Sequence, residues 1–241
     1  MKGNHFKLYW FEEVDSTMDI AREFAKKGEE ACILAETQTS GRGRWARKWY
    51  SPKGGLWFSI SLLQTFSKEK LVFLPYITSL AVLFSIKETT RISAGIKWPN
   101  DILYQGKKLA GILLERGEEY VILGVGINVN NEPPFKEFSI SLKEILKTDV
   151  DRLLILTQFL KYFYEFLNKE KMEVITLWEK HSVTINKKVK VITSSCEIMG
   201  IAKKLSDDGA LMIIDEENKV RKVFSGECIQ FFDDSVFNDA D

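Results

Sequence analysis

Residues 41–49, Gly-Arg-Gly-Arg-Trp-Ala-Arg-Lys-Trp, bring four cations, two indoles and two glycines together. Arginine and lysine neutralise phosphate or carboxylate, and arginine does so through a planar fork that donates hydrogen bonds in pairs. Glycine lets backbone approach a ligand closely. Trp45 and Trp49 offer flat faces to stack on a ligand or close over it. A solvated surface loop would account for the charges but has no use for two tryptophans. The segment reads as a lid over an anion whose identity it does not give.

Three more strings carry chemical potential. Residues 97–101, Lys-Trp-Pro-Asn-Asp, combine a proline that forces Trp98 into extended backbone with Asn100 and Asp101 at the head of the next strand. Taken singly, each of these suits a core or turn residue; together they form a specific string. Residues 108–115, Lys-Leu-Ala-Gly-Ile-Leu-Leu-Glu, put Lys108, Ala110, Ile112 and Leu114 on one strand face by simple alternation. Lys108 is then either a strand-end charge, which the residues alone favour, or a cation aimed into a pocket. Gly111 within the strand suggests close approach of a ligand or another backbone. Residues 124–130, Gly-Val-Gly-Ile-Asn-Val-Asn, contain GxG, but Val129 stands where a dinucleotide fingerprint needs its third glycine. Asn128 and Asn130, two apart, would share a strand face and suit hydrogen bonding to a nucleotide; a turn role is the plain alternative for Asn130.

These strings need elements to hold them. Residues 6–11 read as a strand. Asp15-Ser16-Thr17 supplies an N-cap with Asp19 at capping-box spacing from Ser16, and a helix then runs to Gly28. Strands are expected at 32–36 and 55–63, and a long helix at 69–89, where Leu71, Leu74, Ile77, Leu80, Ala81 and Phe84 recur at helical spacing. Short strands follow at 95–98, 101–104 and 108–115, the last two joined by a Gln105-Gly106 turn, and another at 120–130 before the Pro133-Pro134 breaker. Residues 151–180 read as helical. From 188 on the pattern changes to five short strands, 188–193, 197–205, 210–215, 219–224 and 227–232. The expected fold is therefore α+β: a mixed or antiparallel sheet flanked by helices, followed by a small SH3-like β-barrel. The expected division is residues 1–184, 185–233, and an acidic tail at 234–241.

Composition narrows the partners. The 241 residues carry 34 Lys+Arg and 34 Asp+Glu, a formal net charge of zero, which argues against a non-specific nucleic-acid binder. Hydrophobic residues make up 45%, enough for a substantial core. Cys32, Cys196 and Cys228 are odd in number and far apart, and His5 and His181 are isolated. Neither a disulfide framework nor a structural metal site is expected, and a reducing cytoplasm fits. No apolar run approaches 18 residues, so no membrane span is expected.

In order and spacing, GRGR, KWPND and KLAGIL, together with Asp15-Ser16-Thr17 and Ser225-Gly226-Glu227, resemble biotin protein ligases over most of the chain. The resemblance implies a class II synthetase-like catalytic domain and two half-reactions: biotin and ATP give biotinyl-AMP and pyrophosphate, and a lysine of a biotin carboxyl carrier protein or domain then takes the biotinyl group. It implies Lys108 between the biotin carboxylate and the α-phosphate, and Arg42 as the second catalytic residue. It assigns Ser16, Thr17, Gln38, Gly41, Arg42, Arg44, Lys108 and Gly111 to biotin, with Gly55, Leu56 and Trp57 as the apolar wall beside it. It assigns Arg44, Arg47, Trp49, Asn100, Lys108, Asn128, Asn130, Lys190 and Glu227 to the nucleotide. Mg2+ arrives with ATP. Met18, Trp45-Ala46 and Phe231 depart from the usual family residues: Met18 puts one polar contact in doubt, Phe231 one nucleotide contact, and Trp45-Ala46 how tightly the loop holds the adenylate. The catalytic strand begins within ten residues of Met1, so no DNA-binding domain and no repressor role are expected. A homodimer is compatible. The rival activities are lipoate–protein ligation on the same fold and a non-catalytic biotin or nucleotide sensor.

Overall fold

The computed structural model describes residues 6–63 and 67–230. The expectations for Phe231, the far end of the last strand and the acidic tail lie outside the described residues. The first half of the chain builds a seven-stranded sheet from β1 (Lys7–Val14), β2 (Ala31–Gln38), β3 (Leu56–Leu63), β4 (Gly95–Lys97), β5 (Asp101–Tyr104), β6 (Lys107–Arg116) and β7 (Tyr120–Ile127). Their order is β1-β2-β3-β7-β6-β5-β4; β1 and β2 run parallel, and every other neighbouring pair is antiparallel.

Two helical layers cover this sheet. On one face lies α1 (Thr17–Lys26), whose Met18, Ala21 and Ala25 pack on Ala31, Ile33 and Ile122. Ser16 caps it by accepting a bond from the Met18 amide, and Gly28 beyond its end holds φ +74°. The other face takes α2 (Lys68–Thr90) and α4 (Arg152–Leu167), where Phe159 meets Phe58 edge to face at 4.9 Å. The stretch Lys70–Thr90 is long and apolar enough to span a bilayer, contrary to the expectation from its sequence, but 67% of it is buried inside the protein and it serves as the core helix.

The helix expected over 151–180 is two. After α4, Asn168 ends the first, and Glu170 with Glu173 forms a capping box that starts α5 (Lys171–His181). A one-turn helix, α3 (Leu142–Leu146), was not foreseen, although Ser141 and Glu144 form the readable Ser-x-x-Glu box in front of it.

The C-terminal strands β8 (Lys188–Ile192), β9 (Glu197–Leu205), β10 (Leu211–Asp215), β11 (Val220–Val223) and β12 (Glu227–Gln230) form an antiparallel sheet in the order β11-β10-β9-β8-β12, consistent with an SH3-like unit. Its inner residues Val189, Val191, Leu211 and Ile213 join the same core as α2 and α5. The buried Tyr76 hydroxyl on α2 donates to the Gly209 carbonyl at 2.6 Å, and Gln230 Nε2 donates to the Val183 carbonyl at 2.6 Å. The first ties the turn between β9 and β10 to α2, and the second holds β12, whose Glu227 and Cys228 line the cavity described next.

Candidate active site

A cavity of about 720 Å³ opens on the α1 face of the large sheet, a size that suits a drug-sized or larger ligand. All four sequence strings reach it: Arg42, Gly43, Arg44, Trp45, Arg47, Lys48 and Trp49 from the basic loop, Lys97–Asp101, Lys108 and Gly111 from β6, Gly124 and Gly126 from β7, and Asn128 just beyond its end.

Its floor is made by missing side chains. A Cβ on Gly126 would lie 2.4 Å from Trp49 Nε1, and one on Gly111 would lie 2.9 Å from the same indole. A Cβ on Gly124 would lie 2.7 Å from Met18 Sδ. The three glycines let Trp49 and Met18 lie directly on the strands. Met18 is buried as part of that floor.

At one end sits a compact polar cluster. Gln38 Oε1 accepts from the Thr17 amide at 2.9 Å and the Thr17 hydroxyl at 3.1 Å, while its Nε2 donates to Ser51 Oγ at 2.8 Å. The Thr17 and Ser59 hydroxyls stand 2.7 Å apart. Ser16, Thr17 and Ser59 are buried, yet they line the cavity. Ser59 was missed in sequence; the serines alternating in the apolar strand Leu-Trp-Phe-Ser-Ile-Ser were its signal.

Lys108 reaches the cavity by a route that alternation did not foresee. The β5–β6 ladder slips between Ile102 and Leu103, so that Ile102 opposes Ala110 while Leu103 opposes Lys108, and Leu109 is the extra residue. Ala110 and Ile112 face the core, but the bulge turns Lys108 to the other side, where its Cε lies 3.3 Å from the Gly111 Cβ position. Lys108 Nζ pairs with Asp101 Oδ1 at 2.8 Å and stands 5.2 Å from the Trp49 ring centroid, within cation–π range. Asp101, expected at the head of the next strand, is thus the lysine's counter-ion.

The loop cations differ in their partners. Arg42 forks onto Asp19 with bonds of 2.7 and 2.8 Å. The Arg42 bond, with help from Arg22 and against some burial, holds the Asp19 carboxyl below its usual pKa. Asp19 therefore does not close a capping box with Ser16, because its carboxylate turns to the arginines instead. Arg44 donates to the Gly226 carbonyl at 3.0 Å and to Asn100 Oδ1 at 3.3 Å, both neutral, and burial lowers its pKa. Arg47 is exposed and pairs with Glu227 Oε2 at 2.5 Å. Asn100 is fixed further by donating to the Ile112 carbonyl at 2.7 Å. The loop tip, Trp45-Ala46, has φ of +58° and +56°, a left-handed pair that costs non-glycine residues roughly 1–2 kcal/mol each.

Several expected site residues stand elsewhere. Strand β7 ends at Ile127, so Asn128 and Asn130 share no strand face. Asn128 lines the cavity, whereas Asn130 bonds both ways to the Val150 backbone at 2.9 Å. Lys190 pairs with Glu197 at 2.6 Å on the C-terminal sheet and does not line the cavity. Gly41, Gly55, Leu56 and Trp57 also lie outside its lining. Leu56 belongs to the core; Trp57 backs the site by meeting Trp49 at 6.3 Å, and Gly55 leaves room for the Trp57 ring. Among the described residues no group of three His, Cys, Asp or Glu converges on a metal position, and Asp101 and Asn128 are the oxygen donors beside Lys108 at the cavity wall.

Residues 10–130 match the model of the Biotin/lipoate A/B protein ligase family. The bifunctional ligase/repressor BirA of Bacillus subtilis is 31% identical over 93% of this chain and 74% of its own length. The biotin–[acetyl-CoA-carboxylase] ligase of Mycobacterium tuberculosis is 30% identical over 75% of this chain and 72% of its own. The solved structure of biotin protein ligase from Aquifex aeolicus, in complex with biotin and ATP, superposes with a TM-score of 0.82 at 34% identity, covering 93% of this chain and 98% of that one.

Proposed function

The chain belongs to the biotin/lipoate A/B protein ligase family, and from that premise we propose that it is an ATP-dependent biotin–protein ligase of the biotin–[acetyl-CoA-carboxylase] ligase type. It joins a carboxylate oxygen of biotin to the α-phosphorus of ATP, with pyrophosphate leaving. The ε-amine of one lysine on a biotin carboxyl carrier protein or domain then attacks the acyl carbon, and AMP leaves.

The observation that carries biotin over lipoate is the buried Thr17–Gln38–Ser59 cluster. Two hydroxyls and an amide match the fixed donors and acceptor of a ureido ring. A dithiolane offers no comparable partner, so it would gain none of the hydrogen bonds that a ureido ring makes here, each worth about 0.5–1.5 kcal/mol. Equilibrium binding tests this: biotin is expected to bind far more tightly than lipoate, and the reverse order would overturn the assignment.

Adenylation brings two anions together. Unit charges 4 Å apart repel by about 4 kcal/mol at an effective dielectric near 20. Lys108 supplies the opposing charge where the two groups meet, held there by Asp101 and the Trp49 face. Its role is electrostatic and needs no covalent step. Arg44, half-buried and bonded to neutral oxygens, supports charge on the phosphates. Asn100 and Asn128 offer fixed amides to the nucleotide, while Arg47 and Glu227 close the edge nearest the C-terminal sheet. Mg2+ travels with ATP and neutralises phosphate charge; one carboxylate and an amide oxygen suit an ion held mainly by its nucleotide. Trp49, lying on Gly111 and Gly126, keeps water from the reacting centre.

The reading assigns catalysis to residues 1–184 and support of the nucleotide side to 185–233. It assigns the protein to the cytoplasm, with no repressor activity, on the even charge balance and unpaired cysteines. Purified protein mixed with biotin and MgATP is expected to release pyrophosphate in a biotin-dependent way, and a pure sensor would release none.

A further inference from the structure

Arg42 is surrounded by charge that cancels its own. Beyond its fork onto Asp19, its Nε lies 3.7 Å from Glu115 Oε1. Arg22 closes the ring, pairing with Asp19 at 2.5 Å and with Glu115. Two guanidiniums and two carboxylates make a neutral unit, so Arg42 adds little positive field to the cavity. What the unit does mechanically is clear from where its members sit. Asp19 lies in the first turn of α1, just past Ser16 and Thr17; Glu115 lies near the far end of β6, the strand that begins beside Lys108. Arg42 itself forms a bridge with Lys48 across the base of the loop.

We propose that Asp19 is a positioning residue for the reaction, acting through Arg42 to pin the basic loop to α1 and β6 so that Arg44 and Trp49 face the cavity. The inference rests on the ligase reading for its catalytic consequence, but the pinning stands on the ion pairs alone. Arg42 is then a strut, while Arg44 faces the cavity bonded to neutral oxygens.

Five proteins test this: wild type, Asp19→Asn, Arg42→Ala, the double variant, and the charge reversal Asp19→Arg/Arg42→Asp as rescue. Trypsin cleavage of the loop reads the pinning without any activity. Asp19→Asn is expected to speed cleavage at residues 42–48 and to raise the KM for MgATP several-fold, up to about tenfold, with a smaller change in kcat. Adding Asp19→Asn to Arg42→Ala is expected to change nothing further, and the charge reversal to restore much of the protection. The half-exposed pairs also predict that added salt raises the wild-type KM more steeply than that of Asp19→Asn. If Asp19→Asn keeps wild-type cleavage and KM while Arg42→Ala loses activity, Arg42 acts on the ligand directly and the proposal fails. If the wild type releases no pyrophosphate, the ligase reading fails, and the cleavage series still decides the pinning.

Discussion

A single extra residue, Leu109, decides which side of the sheet Lys108 serves, and a cation placed there is worth more than one in water because its surroundings are partly desolvated. Removing it should act on the transition state and not on the fold. Lys108→Ala is expected to slow biotin-dependent pyrophosphate release by roughly 10²–10³-fold, the usual cost of one preorganised electrostatic group, with an unchanged circular dichroism spectrum. The glycines make the complementary test. Gly126→Ala puts a methyl group 2.4 Å from Trp49 Nε1, so the indole must lift off the strand. A shift in tryptophan emission and a raised KM for MgATP are expected; an unchanged spectrum would mean that the indole does not rest there. Lys108 and the basic loop were readable from residue type and spacing. Asp101, Asp19 and Glu115 were not, because a carboxylate opposite a cation is visible only once the chain has folded, and neither the bulge at Leu109 nor the end of β7 before Asn128 disturbs a hydrophobic pattern.

Two elements are joined by bonds that sequence patterns do not announce. The Tyr76 hydroxyl of α2 is buried, its pKa pushed up to about 12 by burial, and it donates to Gly209 in the turn between β9 and β10. Tyr76→Phe is expected to cost about 0.5–1.5 kcal/mol in denaturant unfolding and to loosen the C-terminal sheet from α2, read by faster amide exchange at 206–210. In the same turn, Ser206 and Lys222 hold the Asp208 carboxyl down at about 2. A lowered folded-state pKa stabilises the protein above the unfolded value near 4 and loses that stabilisation as pH falls toward about 2. The Tm difference between wild type and Asp208→Asn should therefore be full at pH 6, shrink below pH 4 and be mostly gone by pH 2. A difference undiminished at pH 2 would contradict the assignment. Helical and strand periodicity found most of these elements. They missed the break at 168–170, which sits inside a longer helical pattern, and the helix after Ser141, which is too short for a period to show although its Ser-x-x-Glu box stands in the sequence.

At the scale of the molecule, a sheet with α1 on one side and a core of α2, α4 and α5 on the other leaves one broad cavity, and the C-terminal sheet closes its edge through Gly226 and Glu227. In the proposed ligase reading, the polar cluster takes a ureido ring, Lys108 stands where carboxylate meets phosphate, and the basic loop excludes water. The account stands or falls on group transfer. The most direct measurement is the intact mass of a biotin carboxyl carrier domain after incubation with the protein, biotin and MgATP. One biotinyl group on one lysine is the predicted result, dependent on ATP and lost with Lys108→Ala. No mass gain, or a lipoyl group taken in preference when both acids are supplied, would contradict it.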